Sequence, residues 1–138
     1  MSAQAYFDLC GQVLRRIETT QAQAIAEAGE VIAQSMASGG ALHIFSTGHM
    51  PQEPVGRAGG LMAIFPIDLG SVLSHPLPPS HKGRVPQVKP ADGAERLVEF
   101  ALERANILPG DCLIVISNSG KTPVPVQMAL GAQARGLK

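Results

Sequence analysis

Tryptophan is absent, tyrosine occurs once, and aromatic residues make up only 4% of the 138 positions. A surface that stacks nucleic-acid bases needs aromatic faces, so the composition argues against that class of function. An excess of charge of one sign is missing too, with 11 Lys and Arg balancing 11 Asp and Glu. No long-range field steers such a chain toward nucleic acid or an anionic membrane. Cysteine occurs only twice. Cys10 falls in a predicted helix and Cys112 in a predicted buried strand, which suits reduced packing residues in a cytoplasmic protein. No apolar run approaches the roughly 20 residues of a membrane span, and no N-terminal stretch reads as a signal peptide.

What remains is a core of Ala, Leu, Ile and Val, the palette of an α/β protein, at a length that allows one domain. From Gln4 to about Ala37 there is no proline, and apolar positions such as Leu9, Val13, Leu14, Ile17, Ile25 and Ile32 recur at helical spacing. This predicts one long helix, or two with a break at Thr19-Thr20. Ser38-Gly39-Gly40 ends it. Ala41 to Phe45 reads as a first strand and Ser46-Thr47-Gly48-His49 as the loop after it. Pro51 to Gly60 holds a short helix, and Leu61 to Leu69 a second strand that Pro66 weakens or places near an edge.

Between Gly70 and Pro90, five prolines fall among Ser, His, Lys and Arg, which reads as a long loop. Asp92 is the expected N-cap of a helix running to about Asn106. Pro109-Gly110-Asp111 is a turn, Cys112 to Ile116 a strand buried on both faces, and Pro123 to Arg135 a final helix closed by Gly136. The order α-β-α-β-loop-α-β-α predicts a three-layer α-β-α sandwich around a parallel sheet. Three strands make a thin sheet of this kind. The chain therefore reads as a fragment incomplete at its C-terminus, in preference to one whose edge is covered by oligomerisation.

The chemistry concentrates after the last strand, in Ser117-Asn118-Ser119-Gly120-Lys121-Thr122. Three hydroxyls, a flexible glycine and a helix start suit an anion, with phosphate the obvious candidate. The plainer alternative makes Ser119-Gly120 a turn and Thr122 an N-cap; Thr122 is expected to serve both roles. Gly120-Lys121-Thr122 is not a nucleotide-binding P-loop, because that motif needs glycine where Val115 sits inside the strand. Lys121 either adds charge to the anion or is a solvated loop residue, and both readings stay open. Asn118 either bonds a ligand hydroxyl or completes the turn.

Ser46-Thr47-Gly48-His49 lies at the carboxyl end of the first strand, where open α/β sheets hold ligands. Thr47, Gly48 and His49 are therefore expected ligand contacts. His49 and Glu53 could form an acid–base pair for enediol chemistry. The favoured reading keeps Glu53 as a surface residue and His49 as a loop donor. His43 is expected to be a packed, hydrogen-bonded residue. His75 and His81 are too widely spaced and too far from Cys, Asp or Glu to suggest a metal site.

Ile116-Ser117-Asn118-Ser119-Gly120-Lys121-Thr122, followed by Ala132, Arg135 and Gly136, resembles the phosphate-binding loop and helix of sugar isomerase (SIS) domains. The N-terminal helical segment 3–37, Ser46-Thr47-Gly48-His49, Arg57-Ala58-Gly59-Gly60 and Leu108-Pro109-Gly110-Asp111 support the resemblance, which runs from about Tyr6 to Lys138. It implies a single SIS domain over 1–138, with an α/β core over 41–138 covering the first three strands of a five-stranded, Rossmann-like or flavodoxin-like parallel sheet. It also implies a phosphosugar ligand held by Ser117, Asn118, Ser119, Gly120 and Thr122, with Thr47, Gly48 and His49 across the crevice. No metal or other cofactor is implied, no nucleic acid or membrane partner, and a homodimer or homotetramer is. In such domains the first-strand loop usually reads Gly-x-Gly-x-Ser. Here Ser46 replaces the first glycine and Met50 the hydroxyl, which weakens any claim to catalysis. Binding is the leading expectation. An aldose–ketose sugar-phosphate isomerase using Glu53 or a histidine, and the sensing module of a transcriptional regulator, are the alternatives.

Overall fold

The computed structural model of the protein describes residues 2–47, 52–55, 63–69 and 93–138. The elements run α1 (Ala3–Ala37), β1 (Leu42–Ser46), α2 (Gln52–Val55), β2 (Ile64–Pro66), α3 (Ala94–Arg104), β3 (Cys112–Ile116) and α4 (Pro123–Ala134). Two compact units result, one up to Gln34 and one from Ser35 onward.

In the first unit α1 is continuous, with no break at Thr19-Thr20. The hydroxyls of both threonines donate back to the preceding turn, Thr19 to the Arg15 and Arg16 carbonyls and Thr20 to that of Arg16. Such back-bonding lets threonine sit inside a helix without competing for the following N–H groups. Leu9, Val13, Leu14, Ile17 and Ile25 on this helix are exposed.

The second unit is built on a three-stranded parallel sheet of order β2-β1-β3. β1 pairs with β3 along its whole length, from Leu42 opposite Cys112 to Ser46 opposite Ile116. β2 is shorter than the expected Leu61–Leu69 span. Pro66, opposite Ile44, ends the strand, and the Ile67 N–H makes the next bond to the Ile44 carbonyl. A proline has no N–H to give a ladder, so its place at the end of a short outer strand follows from its chemistry. Lys138 lies against the other side of β3. Its N–H donates to the Asp111 carbonyl at 2.9 Å and its carbonyl accepts from Leu113 N–H at 3.0 Å, the bond pair of a parallel ladder.

The core lies between one face of the sheet and helices α3 and α4. Phe45 from β1 meets Val98, Ala101 and Leu102 from α3 and Val124 and Met128 from α4, with Leu113 and Val115 packed alongside. On the opposite pleat Leu42, Ile44, Ile64 and Cys112 are also buried. In β3 only Cys112 is buried and residues 113–116 are half-buried, short of the burial on both faces that the apolar run predicts, because β3 is an outer strand of the described sheet. Arg135 pairs with Glu99, joining α4 to α3.

Helix ends follow the sequence closely in two cases and depart in one. α1 and α4 both close in Schellman motifs. Gly40 N–H bonds Ser35 O and Gly39 N–H bonds Met36 O; Leu137 N–H bonds Ala132 O and Gly136 N–H bonds Gln133 O. Gly39 and Gly136 hold the left-handed conformation, with φ of 87° and 79°, that this motif demands. α3, by contrast, takes Gly93 as its N-cap in a left-handed conformation with no side-chain cap. The expected cap, Asp92, lies outside the described residues.

The amino-terminal edge of the sheet is held by Asp111, which is buried together with His43. Asp111 Oδ1 accepts from Ala41 N–H at 2.8 Å, and Oδ2 accepts from Leu108 N–H at 2.8 Å. His43 Nε2 lies 3.2 Å from Oδ2. An ionised carboxylate only accepts, so the Nε2 proton points at it. Ser35 Oγ adds a 2.6 Å bond to the Gly110 carbonyl in the same turn. The expectation that His43 is a packed, hydrogen-bonded residue is met.

Burial alone would push the Asp111 carboxyl up. The Ala41 and Leu108 N–H groups and the His43 ring more than offset this and hold it below the ordinary carboxylate range. A depressed folded value means the stabilisation is complete above the ordinary carboxylate pKa of about 4 and is lost as pH falls through the lowered folded value. Asp111→Ala should cost about 3–5 kcal/mol at neutral pH, since it leaves donors buried without an acceptor. Urea unfolding across an acid series should show the wild type losing stability below about pH 4 and Asp111→Asn losing less over the same range.

Candidate functional site

The parallel register of β1 and β3 brings their carboxyl ends out side by side. Thr47, the first residue after β1, donates its N–H to the Ile116 carbonyl at the end of β3, at 3.4 Å. Thr47 and Ser117 therefore leave the sheet at one edge, where open parallel sheets collect ligands. Gly48 and His49 lie outside the described residues. Glu53 falls on α2, and its side chain is likewise outside the described residues. Arg57, His75 and His81 also lie outside the described residues.

The loop from Ser117 to Thr122 is described throughout. Ser117 is half-buried at the strand end, and Asn118, Ser119, Gly120, Lys121 and Thr122 are exposed. Gly120 turns the chain with φ of 63°, a left-handed conformation that costs other L-residues about 1–2 kcal/mol. Two of the hydroxyls bond the loop itself. Ser117 Oγ accepts from Gly120 N–H at 3.2 Å, and Ser119 Oγ accepts from Lys121 N–H at 3.4 Å. Each bond uses a lone pair of the hydroxyl oxygen and leaves its proton for another acceptor. An oxyanion arriving here can receive O–H groups directly, or replace the serine oxygens on the two N–H groups.

Thr122 occupies the N-cap position of α4 with extended backbone, φ −75° and ψ 145°, but its hydroxyl makes no cap bond. The double role expected for Thr122 is therefore not realised on the capping side, and its exposed hydroxyl is not committed to the helix. The helix start is also poorer in donors than the sequence reading assumed. Pro123 and Pro125 carry no N–H, and Val126 N–H already bonds the Thr122 carbonyl at 3.5 Å. Among the described residues no partner bonds the Val124 N–H, which leaves fewer first-turn donors than the several a helix normally offers.

Asp111 and its three donors lie at the other end of the strands, away from this edge, and help to hold the site without belonging to it. Its role was not read from the sequence, although its place between a Pro-Gly turn and a buried strand was visible. Among the described residues no group of three His, Cys, Asp or Glu side chains could hold a metal ion. No described helix is long and apolar enough to cross a membrane.

A parallel α/β sheet with a hydroxyl-rich, glycine-containing loop at its carboxyl edge defines an α/β domain of the Rossmann-like class. The sequence profile described as the SIS domain matches residues 5–138, and the chain belongs to the SIS domain family. It is 35% identical over 137 residues to a UPF0309 protein of Listeria monocytogenes serotype 4b, an alignment covering 95% of this chain and 51% of that one. To a UPF0309 protein of Streptomyces avermitilis it is 33% identical over 139 residues, 99% of this chain and 53% of the relative. A Halalkalibacterium halodurans UPF0309 protein is 33% identical over 138 residues, with 96% and 51% covered. The chain spans about half the length of these curated relatives.

Gly120 tests the loop conformation independently of any ligand. Among the described residues no atom lies within 4 Å of where a Cβ would sit there, so its backbone conformation is what resists substitution. Gly120→Ala is expected to cost about 1–2 kcal/mol, and Gly120→Asn less because asparagine tolerates this region; equilibrium denaturation checks both.

Proposed function

We propose that this chain binds a phosphosugar at the carboxyl edge of its sheet. Membership of the SIS family supports a general phosphosugar-binding role. The observation that carries the reading to particular residues is the Ser117–Thr122 loop, exposed beside Thr47 and rich in unspent O–H donors. In this reading Ser117, Ser119 and Thr122 donate to phosphate oxygens. Gly120 lets the backbone approach, and Asn118 bonds a sugar hydroxyl. Thr47, Gly48 and His49 face the ligand from the first-strand loop. Hydroxyls and N–H groups suit a phosphate because each donates a short, charge-assisted bond without itself needing a counter-ion.

Binding, not turnover, is the function proposed. Isomerase chemistry would rest on Glu53 and His49, whose side chains lie outside the described residues. The proposal includes a cytoplasmic homodimer or homotetramer, which sedimentation velocity tests directly.

Thermal shift against hexose and heptose phosphates, each paired with its parent sugar, tests the ligand class. A phosphorylated ligand at about 100 times its Kd should stabilise the folded chain by about 2.7 kcal/mol, and the parent sugar should not. Ser119→Ala should weaken phosphosugar binding by roughly tenfold, the loss of about one charge-assisted hydrogen bond, with little change in unliganded stability. A folded chain unmoved by every phosphorylated ligand would refute the assignment.

A further inference from the structure

The phosphate site proposed above is built almost wholly from neutral groups, and the inference drawn here rests on that reading. Among the described residues, the stretches 46–47 and 117–122 leave the carboxyl ends of β1 and β3 side by side, and they contain one Lys, Arg, Asp or Glu, which is Lys121. This residue sits exposed in the loop between Gly120 and Thr122. Arg135, the next cation along the chain, lies beyond the far end of α4 and is paired with Glu99.

The usual substitute for a cation is a helix N-terminus, whose unsatisfied N–H groups carry the positive end of the macrodipole. In α4 that substitute is depleted. Pro123 and Pro125 remove two of the first-turn donors. The loop N–H groups of Gly120 and Lys121 are occupied by serine oxygens and must be exchanged before they can serve an anion.

We infer that Lys121 is the charge-bearing ligand contact, the group that makes the site select a phosphorylated over a neutral sugar. Its ammonium, on a flexible four-carbon stem, acts as a point charge that reaches a phosphate without demanding fixed geometry. Because it is exposed, its attraction is screened by salt, so affinity falls as ionic strength rises.

Inorganic phosphate, titrated calorimetrically into the full chain at low and high salt, separates this inference from the reading beneath it. A folded wild type that binds no phosphate refutes the site and the inference together. If the wild type binds, Lys121→Met should weaken binding at least tenfold at low salt and flatten the salt dependence, while Lys121→Arg retains both. Circular dichroism should show all variants folded, since Lys121 is exposed. Unchanged affinity in Lys121→Met, or equal loss in the Met and Arg variants, overturns the role of Lys121 and leaves the site intact. Pro123→Ala, which returns an N–H to an exposed helix position, should recover several-fold of the loss when added to Lys121→Met. No recovery overturns the claim that the prolines leave the helix start short of donors.

Discussion

The second unit depends on one buried carboxylate. Asp111 receives N–H groups from Ala41, just before β1, and from Leu108, in the turn before β3, while His43 from inside β1 closes on the same oxygen as Leu108. A buried charge is costly unless it is hydrogen-bonded, and three donors satisfy this one. The arrangement fixes where β1 begins relative to β3. In a parallel pair, starting points and finishing points are equivalent information, so the Asp111 clamp also determines that Thr47 and Ser117 emerge together at the opposite edge.

That edge carries a loop prepared in a particular way. Its two serine oxygens occupy backbone donors that would otherwise wait for a ligand, keeping the turn shaped in the free state. The same bonds leave the hydroxyl protons unspent, so the loop is held in shape and still able to donate. The prolines at the start of α4 act in the other direction. They predispose the backbone to the helix and remove donors from its mouth, which leaves the loop hydroxyls as the donors offered beside it.

Much of this was legible beforehand where the cause is local. The extent of α1 follows from apolar spacing and from Gly39, and the extent of α4 from Pro123 and Gly136. The parallel sheet follows from the β-branched run in β3 and the alternation of strands with helices. Legibility failed where the cause is remote or finely balanced. The apolar spacing of α1 leaves one helix or two open at Thr19-Thr20; the helix is continuous, with both hydroxyls bonded back to the preceding turn. The end of β2 at Pro66 follows the weakening expected of the proline, whereas its pairing with β1, Pro66 opposite Ile44, is not marked in the sequence. Asp111 looked like a turn residue because its main donor is 70 positions away. At the site the loop itself was legible from residue types. The uncapped Thr122 and the occupied N–H groups were not, because they depend on rotamers.

The separation of 70 residues between Ala41 and Asp111 has a kinetic consequence. Closing a loop of that length costs about 4 kcal/mol of chain entropy beyond a length-independent constant, and little is returned until strands and carboxylate are all in place. The pairing of β1 with β3 is therefore a late event in folding, preceded by local helices such as α1. On a growing chain, β1, the central strand of the described sheet, must wait for the whole intervening stretch to be made before it meets β3. Until then Leu42, Ile44 and Phe45 form an uncovered apolar strand, so the step that assembles the ligand edge is also the one most exposed to misassociation.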